Sequence, residues 1–132
     1  MNKPTIIAFA VSATLIGLAF LMVSPNTPST GNGTVTAPTA VIEGGKQVID
    51  ITAKGGYSPR VVNAKAGIPT VLRVRTNNTF DCSASVVIPK LSYQKFLQPS
   101  AIEEIPISAE QAQGTLQGLC SMGMYNFQIR FE

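Results

Sequence analysis

Two cysteines and two methionines are the residues of this sequence whose types and spacing suggest chemistry. Cys82 stands alone, whereas Cys120, Met122 and Met124 occupy every second position of one short segment. In an extended chain such residues share one face about 6.6 Å apart, which is too far for them to share an ion. Gly123 allows a bend that draws their sulfur atoms together. Thiolate and thioether sulfurs are soft ligands, so the pattern predicts a sulfur site suited to Cu(I).

The composition excludes several other kinds of site. The sequence contains no histidine, which excludes Ser-His-Asp and Cys-His catalysis, the usual histidine zinc sites and type 1 copper. Glu103 and Glu104 are adjacent and point to opposite faces of a predicted strand, so they are not a catalytic carboxylate pair. The net charge of +3 is spread thinly, which argues against a nucleic-acid groove. We therefore predict a binding protein and not an enzyme.

The same cysteines allow a second interpretation. A disulfide between Cys82 and Cys120 would be favoured in an oxidising compartment if their Cα atoms lay within about 7 Å of each other. It would add roughly 2–4 kcal/mol of stability, but it would leave Met122 and Met124 unexplained. In this alternative the domain is a non-metal structural or interaction module, such as an accessory subunit of a membrane complex.

The elements that must position these residues are predicted to be short β-strands. Runs of β-branched residues alternate with glycine and proline after Gln47, and no long helix is predicted after residue 24. The clearest alternation places Tyr125, Phe127, Ile129 and Phe131 on one face. The predicted strands cover residues 48–53, 61–62, 70–76, 83–88, 102–107, 115–119 and 125–131, with a helical turn within residues 91–97. This strand count predicts an all-β sandwich.

Three side chains near the sulfur residues are given ordinary structural roles. Tyr57 and Tyr125 are predicted to pack at one end of the sandwich and shield it from water. Asp81 precedes Cys82 and follows a turn-forming segment, so it is predicted to be a turn residue and not a ligand.

The beginning of the chain predicts a membrane anchor and a tether. Residues 5–24 carry no charge and would span about 30 Å as a helix. The exit of this segment, residues 20–25, shows neither an Ala-x-Ala cleavage site nor a Leu-x-x-Cys lipidation box. Residues 1–24 are therefore predicted to be a single transmembrane helix. Lys3 is the only basic residue before this segment, which predicts an extracytoplasmic domain. Residues 25–46, rich in Thr, Pro and Gly, are predicted to be a flexible linker, and residues 47–132 the folded domain.

Four segments of the folded part resemble conserved features of cupredoxin-like domains. The segments are Gly55-Gly56-Tyr57-Ser58-Pro59, Ala66-Gly67-Ile68-Pro69, Cys82-Ser83-Ala84-Ser85-Val86-Val87-Ile88-Pro89 and Cys120-Ser121-Met122-Gly123-Met124-Tyr125. The resemblance covers residues 47–132. Its specific part is the Cys-x-Met-x-Met element combined with an upstream cysteine. With the anchor and linker, the layout resembles membrane-anchored Cu(I)-binding chaperones and the related domains attached to copper-exporting ATPases.

The resemblance implies a cupredoxin-like Greek-key β-sandwich with a metal site at one end. Cys82 would come from a middle strand, and Cys120, Met122 and Met124 from the loop between the last two strands. In such chaperones the cysteine sulfurs hold one tight Cu(I), and the methionine pair helps to bind a second, weaker ion. The implied function is a membrane-tethered protein that buffers copper or hands it to a copper-transporting ATPase or another copper protein. A relation to the cupredoxin-like modules of ferrous-iron uptake systems would instead predict copper-independent behaviour.

Overall fold

The computed structural model describes residues 37–132, which form a β-sandwich. Within this range the strands are β1 (Val41–Glu43), β2 (Lys46–Ala53), β3 (Tyr57–Ser58), β4 (Val61–Ala64), β5 (Thr70–Thr76), β6 (Ser85–Ile88), β7 (Tyr93–Phe96), β8 (Ile102–Ile107), β9 (Gly114–Cys120) and β10 (Asn126–Phe131). One sheet has the order β1-β2-β5-β8, with β3 paired to β2, and the other has the order β4-β10-β9-β6-β7. The pairs β2–β5 and β4–β10 are parallel, and the other strand pairs are antiparallel.

The predicted alternation of side chains explains how the two sheets pack. In β2, Ile49, Ile51 and Ala53 are buried, whereas Asp50 on the opposite face is exposed. Successive side chains of a strand point to opposite faces, so one apolar row on each strand supplies that sheet's side of the core. Buried residues of both sheets form a single hydrophobic cluster. The prediction of an all-β sandwich is confirmed.

Strand β10 lies inside the second sheet, between β4 and β9. Its row of Phe127, Ile129 and Phe131 is buried, as its alternation predicts. The ring of Phe127 meets the ring of Tyr57 edge to face, with 5.0 Å between ring centroids and an interplanar angle of 72°. Gly118 of β9 lies opposite Phe127, and the space that a side chain would need there is filled by the phenylalanine ring.

Gln47 is a buried polar residue that the sequence pattern does not distinguish. Its side chain is 1% exposed, and both polar atoms of its amide form hydrogen bonds within the protein. The amide nitrogen donates to the carbonyl oxygen of Lys65 and to the hydroxyl of Thr70, while the amide oxygen accepts from the backbone N–H of Lys65. A buried polar group costs little when it is bonded in this way, so Gln47 ties β2 to the loop after β4.

Strands β1, β3 and β7 were not predicted, and the predicted helical turn within residues 91–97 is wrong. A 3₁₀ turn at Pro89–Leu91 is followed by β7, which occupies the segment where the sequence predicts a helical turn. Strand β7 is an edge strand and three of its four residues are exposed, so it lacks the alternation that reveals a half-buried strand. Strand β3 is a two-residue pairing inside a predicted turn.

The predicted linker differs from the structure at its end. Residues 41–46, which the prediction assigns to the linker, contain β1 and the first residue of β2. All three residues of β1 are exposed, so its sequence carries no burial pattern. The predicted anchor at residues 1–24 and most of the linker lie outside the described residues. Between residues 37 and 132, no helix has the length and apolar character required to span a bilayer.

Candidate metal centre

The two cysteines come from neighbouring strands of one sheet. Cys82 opens a 3₁₀ turn, Cys82–Ala84, which leads directly into β6, and Cys120 is the last residue of β9. Strands β6 and β9 pair in antiparallel fashion, with Val86 opposite Cys120. This pairing brings the turn before β6 to the same end of the sandwich as the end of β9. Two residues far apart in the sequence therefore meet.

The two thiols are free and lie close enough to influence each other's ionisation. The interaction with Cys120, together with burial, raises the pKa of Cys82. Burial opposes ionisation of Cys120, but hydrogen bonds from the Cys82 thiol and from backbone N–H groups of the following loop outweigh it and lower the pKa of Cys120. Cys120 is fully buried, whereas Cys82 is partly exposed. The thiolate form of Cys120 is thus favoured for metal binding, whereas the Cys82 sulfur is open to solvent.

The loop after Cys120 is a tight turn that returns the chain to β10. The N–H of Gly123 donates to the carbonyl of Cys120 (2.8 Å), and Gly123 has φ +70°, a left-handed conformation that glycine adopts without strain. The N–H of Cys120 donates to the carbonyl of Tyr125 (3.0 Å), and the N–H of Tyr125 lies 3.4 Å from the Cys120 sulfur. The bend anticipated at Gly123 is present, and the loop holds the Cys120 sulfur in place.

Both methionines of the motif lie on this loop with their side chains open to solvent. Met122 is 75% exposed and Met124 is 64% exposed. Neither residue fills the core, so the pair does not serve as gap-filling core methionines. The structure therefore brings the two cysteines together and places the two methionines beside them on a surface loop, rather than converging all four side chains.

Tyr57 lies beneath the thiols, as part of the buried end of the sandwich. Its side chain is 5% exposed, and its hydroxyl donates to the carbonyl of Ser85 at 3.4 Å. Burial, and then the nearby sulfurs of Cys120 and Cys82, raise the pKa of Tyr57, so its phenol stays neutral. Tyr125 is half-buried and lies against Gly56. The packing roles predicted for both tyrosines agree with these contacts.

Asp81 has a more specific role than a simple turn residue. Its carboxylate caps the 3₁₀ turn by accepting from the N–H and the hydroxyl of Ser83. The other carboxylate oxygen accepts from the N–H of Gly55 at 2.9 Å. These hydrogen bonds, the Ser83 hydroxyl first, hold the pKa of Asp81 below its ordinary value of 3.8. Asp81 therefore joins the loop before β3 to the turn that carries Cys82.

Replacing Asp81 with alanine should destabilise the domain in a pH-dependent way. A capping side chain contributes about 0.5–2 kcal/mol. Because the folded-state pKa is lowered, this contribution is complete above the ordinary value of 3.8 and is lost as the pH falls through the lowered value. Urea denaturation of the wild type and of Asp81→Ala at several pH values should show a difference in unfolding free energy that shrinks in acid. A difference that grows in acid would contradict this role.

The donor atoms at this end of the sandwich suit a soft cation. Among residues 37–132 no group of three or more His, Cys, Asp or Glu side chains is placed to hold a metal. The available donors are two thiols and, on the adjoining loop, two thioethers. Such a set lacks the oxygen and imidazole ligands that Mg²⁺ and Cu(II) prefer, and it is suited to Cu(I).

Comparison with known proteins places this architecture in a family. A family model described as a cupredoxin-like domain matches residues 12–129. The fold is similar to the metal-binding domain of the Cu(I)-exporting P-type ATPase CopA of Streptococcus pneumoniae, solved with Cu(I) (TM-score 0.67, 21% identity, covering 76% of this chain and 99% of that one). It is also similar to the solution structure of a copper binding protein in the apo form (TM-score 0.66, 23% identity, covering 74% and 98%). No curated protein matches the chain. The chain belongs to the cupredoxin-like domain family.

Proposed function

We propose that this protein binds Cu(I) through Cys82 and Cys120, with Met122 and Met124 as further ligands, and buffers the ion or hands it to another copper protein. The observation that carries the proposal is the pair of free thiols that strand pairing brings to one end of the sandwich. No histidine exists in the sequence to make a type 1 electron-transfer site. The two similar structures are described as a domain with Cu(I) and as a copper binding protein. These descriptions agree with the choice of copper, but the donor set is the main argument.

The arrangement suits capture and transfer of an ion better than permanent storage. When Cu(I) binds, the thiols lose their protons and become thiolate ligands. The partly exposed Cys82 and the two exposed methionines remain accessible to an incoming ligand. A partner's thiolate can then replace one sulfur at a time, so that the ion is never released into water.

The wider biological role is proposed on sequence grounds. Residues 1–24 would anchor the chain in a membrane as a single span, and the following linker would let the domain reach a partner such as a copper-transporting ATPase. Lys3 favours an extracytoplasmic domain. We propose no catalytic activity, because the sequence lacks histidine and offers no acid–base constellation.

Titration of the purified domain with Cu(I), in competition with a Cu(I) chelator, tests the proposed function. We expect tight binding of at least one ion and protection of both thiols from alkylation when the ion is present. Protein purified without reductant should contain two free thiols. Absence of copper binding by the reduced protein would overturn the proposal. Two oxidised cysteines together with no copper binding would instead favour the disulfide-containing structural module.

The methionine pair provides a second prediction. Replacement of Met122 and Met124 together by leucine should weaken or remove binding of a second Cu(I), while the first, thiolate-bound ion is retained. Leucine keeps the apolar volume but removes the thioether, and both side chains are exposed, so stability should be unchanged. Copper stoichiometry at saturation measures the effect. Loss of the tight ion in this variant would show that a thioether belongs to the first site.

A further inference from the structure

A groove of about 340 Å³ lies beside the candidate metal centre. Its walls come from the loop before β3, from the segment before β4 and from the loop after β9, and Met124 is one of the residues that line it. The groove therefore shares a wall with the proposed copper site. Its volume falls at the lower end of the roughly 300–1,000 Å³ typical of small-molecule sites.

The groove is lined by two cations and no acidic residue. Lys54 and Arg60 are exposed, and neither forms an ion pair within residues 37–132. By contrast, Arg73, Arg75 and Lys95 are paired with carboxylates. The carboxylate of the nearby Asp81 is engaged by hydrogen bonds from Ser83 and Gly55. The two cations are thus available to an anionic ligand.

Two glycines keep the groove open. Gly55 and Gly56 have φ values of +60° and +125°, which other residues adopt only with strain. A Cβ atom on Gly56 would lie 3.5 Å from the ring of Tyr125, whereas one on Gly55 would meet nothing within 4 Å. The two glycines leave this part of the groove lined by backbone, next to the ring of Tyr125.

We propose that this groove binds a small anionic thiol that carries Cu(I), with the carboxylates of the carrier paired to Lys54 and Arg60. This inference rests on the proposed function and names the donor of the ion. Cu(I) is a soft ion that thiolates hold, so a thiolate complex can serve as its donor. A concave site of this size fits a small carrier better than a protein surface.

Transfer would then be a ligand exchange without any change of oxidation state. The bond between copper and the carrier's sulfur breaks, and a bond between copper and the sulfur of the partly exposed Cys82 forms. The proton released by the cysteine thiol is taken up by the departing carrier thiolate. Met124, which lines the groove and follows Cys120 on the same loop, would be the first thioether to meet the ion.

A copper-free experiment separates this inference from the proposed function. We would titrate S-methylglutathione, which has the carboxylates of glutathione but no free thiol, into the apo protein and follow the amide signals of Gly55, Gly56 and Asn126 by NMR. Saturable shifts are expected for the wild type and should be lost in the double variant Lys54→Gln with Arg60→Gln. The matched control, Lys46→Gln with Lys65→Gln, has the same charge change at the other end of β2 and near Gln47, and it should behave like the wild type.

The rate of copper transfer provides the second measurement. With Cu(I)–glutathione as donor, the Lys54→Gln and Arg60→Gln variant should load at least about tenfold more slowly at low salt, because charge steers association. With Cu(I) carried by N-acetylcysteine amide, which has no carboxylate, its rate should equal that of the wild type. The proposal would be overturned if the variant loaded as fast as the wild type from both donors, or if it loaded more slowly by the same factor from both donors. Amide shifts caused by an acidic hexapeptide but not by S-methylglutathione would also overturn it. Copper affinity measured with a chelator stays unchanged in every case if the proposed function holds.

Discussion

Replacing Cys120 with serine should abolish tight Cu(I) binding while the sandwich stays folded. Cys120 is fully buried at the end of β9, and its sulfur lies near the Cys82 thiol and 3.4 Å from the backbone nitrogen of Tyr125. Serine occupies nearly the same volume and can still accept that N–H, but its hydroxyl is a hard, weakly acidic ligand. The affinity should therefore fall by more than the roughly 10–100-fold that loss of an outer partner of a metal ligand costs.

Competition with a Cu(I) chelator measures the affinity, and thermal unfolding verifies that the variant is folded. Cys82→Ser should show a comparable loss, because either thiol alone leaves the proposed pair of thiolate ligands incomplete. Ser121→Ala is the matched control, since Ser121 is exposed on the same loop and offers no soft donor. Retention of full affinity by folded Cys120→Ser would remove the thiol pair from the metal site.

Replacing Gly118 with alanine should cause a large loss of stability. An added Cβ would lie 2.1 Å from Cζ of Phe127, far inside van der Waals contact. The ring cannot withdraw easily, because Phe127 is fully buried and packs edge to face against Tyr57. Overpacking of a core costs about 1–3 kcal/mol, occasionally more, and we expect a value at or above the upper end. For a domain of this size that corresponds to a fall in melting temperature of roughly 10–20 °C.

A double-mutant cycle with Phe127→Leu distinguishes this clash from a general effect of alanine in a strand. Phe127→Leu alone should also destabilise the protein, because it leaves a cavity. In combination with Gly118→Ala the two losses should be markedly less than additive, since the smaller side chain leaves room for the new methyl group. Gln117→Ala, at an exposed position of the same strand, is the control and should be close to neutral. Additive losses would contradict the proposed contact.

The sequence alone determined the parts of this protein that depend on local order. Alternation along β2, β5 and β10 predicts which side chains are buried, because each strand sends successive residues to opposite faces. The amino-acid types predict the chemistry: two thiols, two thioethers and no imidazole leave a soft cation as the favoured ligand. Edge strands were missed for the same physical reason. Strands β1 and β7 are exposed almost throughout, so no burial pattern marks them.

Only the tertiary structure decided what depends on contacts between distant parts of the chain. The proximity of Cys82 and Cys120 follows from the antiparallel pairing of β6 with β9, and neither segment by itself specifies its neighbour. The same holds for the capping contacts of Asp81 with Ser83 and Gly55, for the buried amide of Gln47, and for the requirement for glycine opposite Phe127. Residue type and spacing determine which functional groups a chain possesses, whereas strand pairing and packing determine which of those groups come within bonding distance.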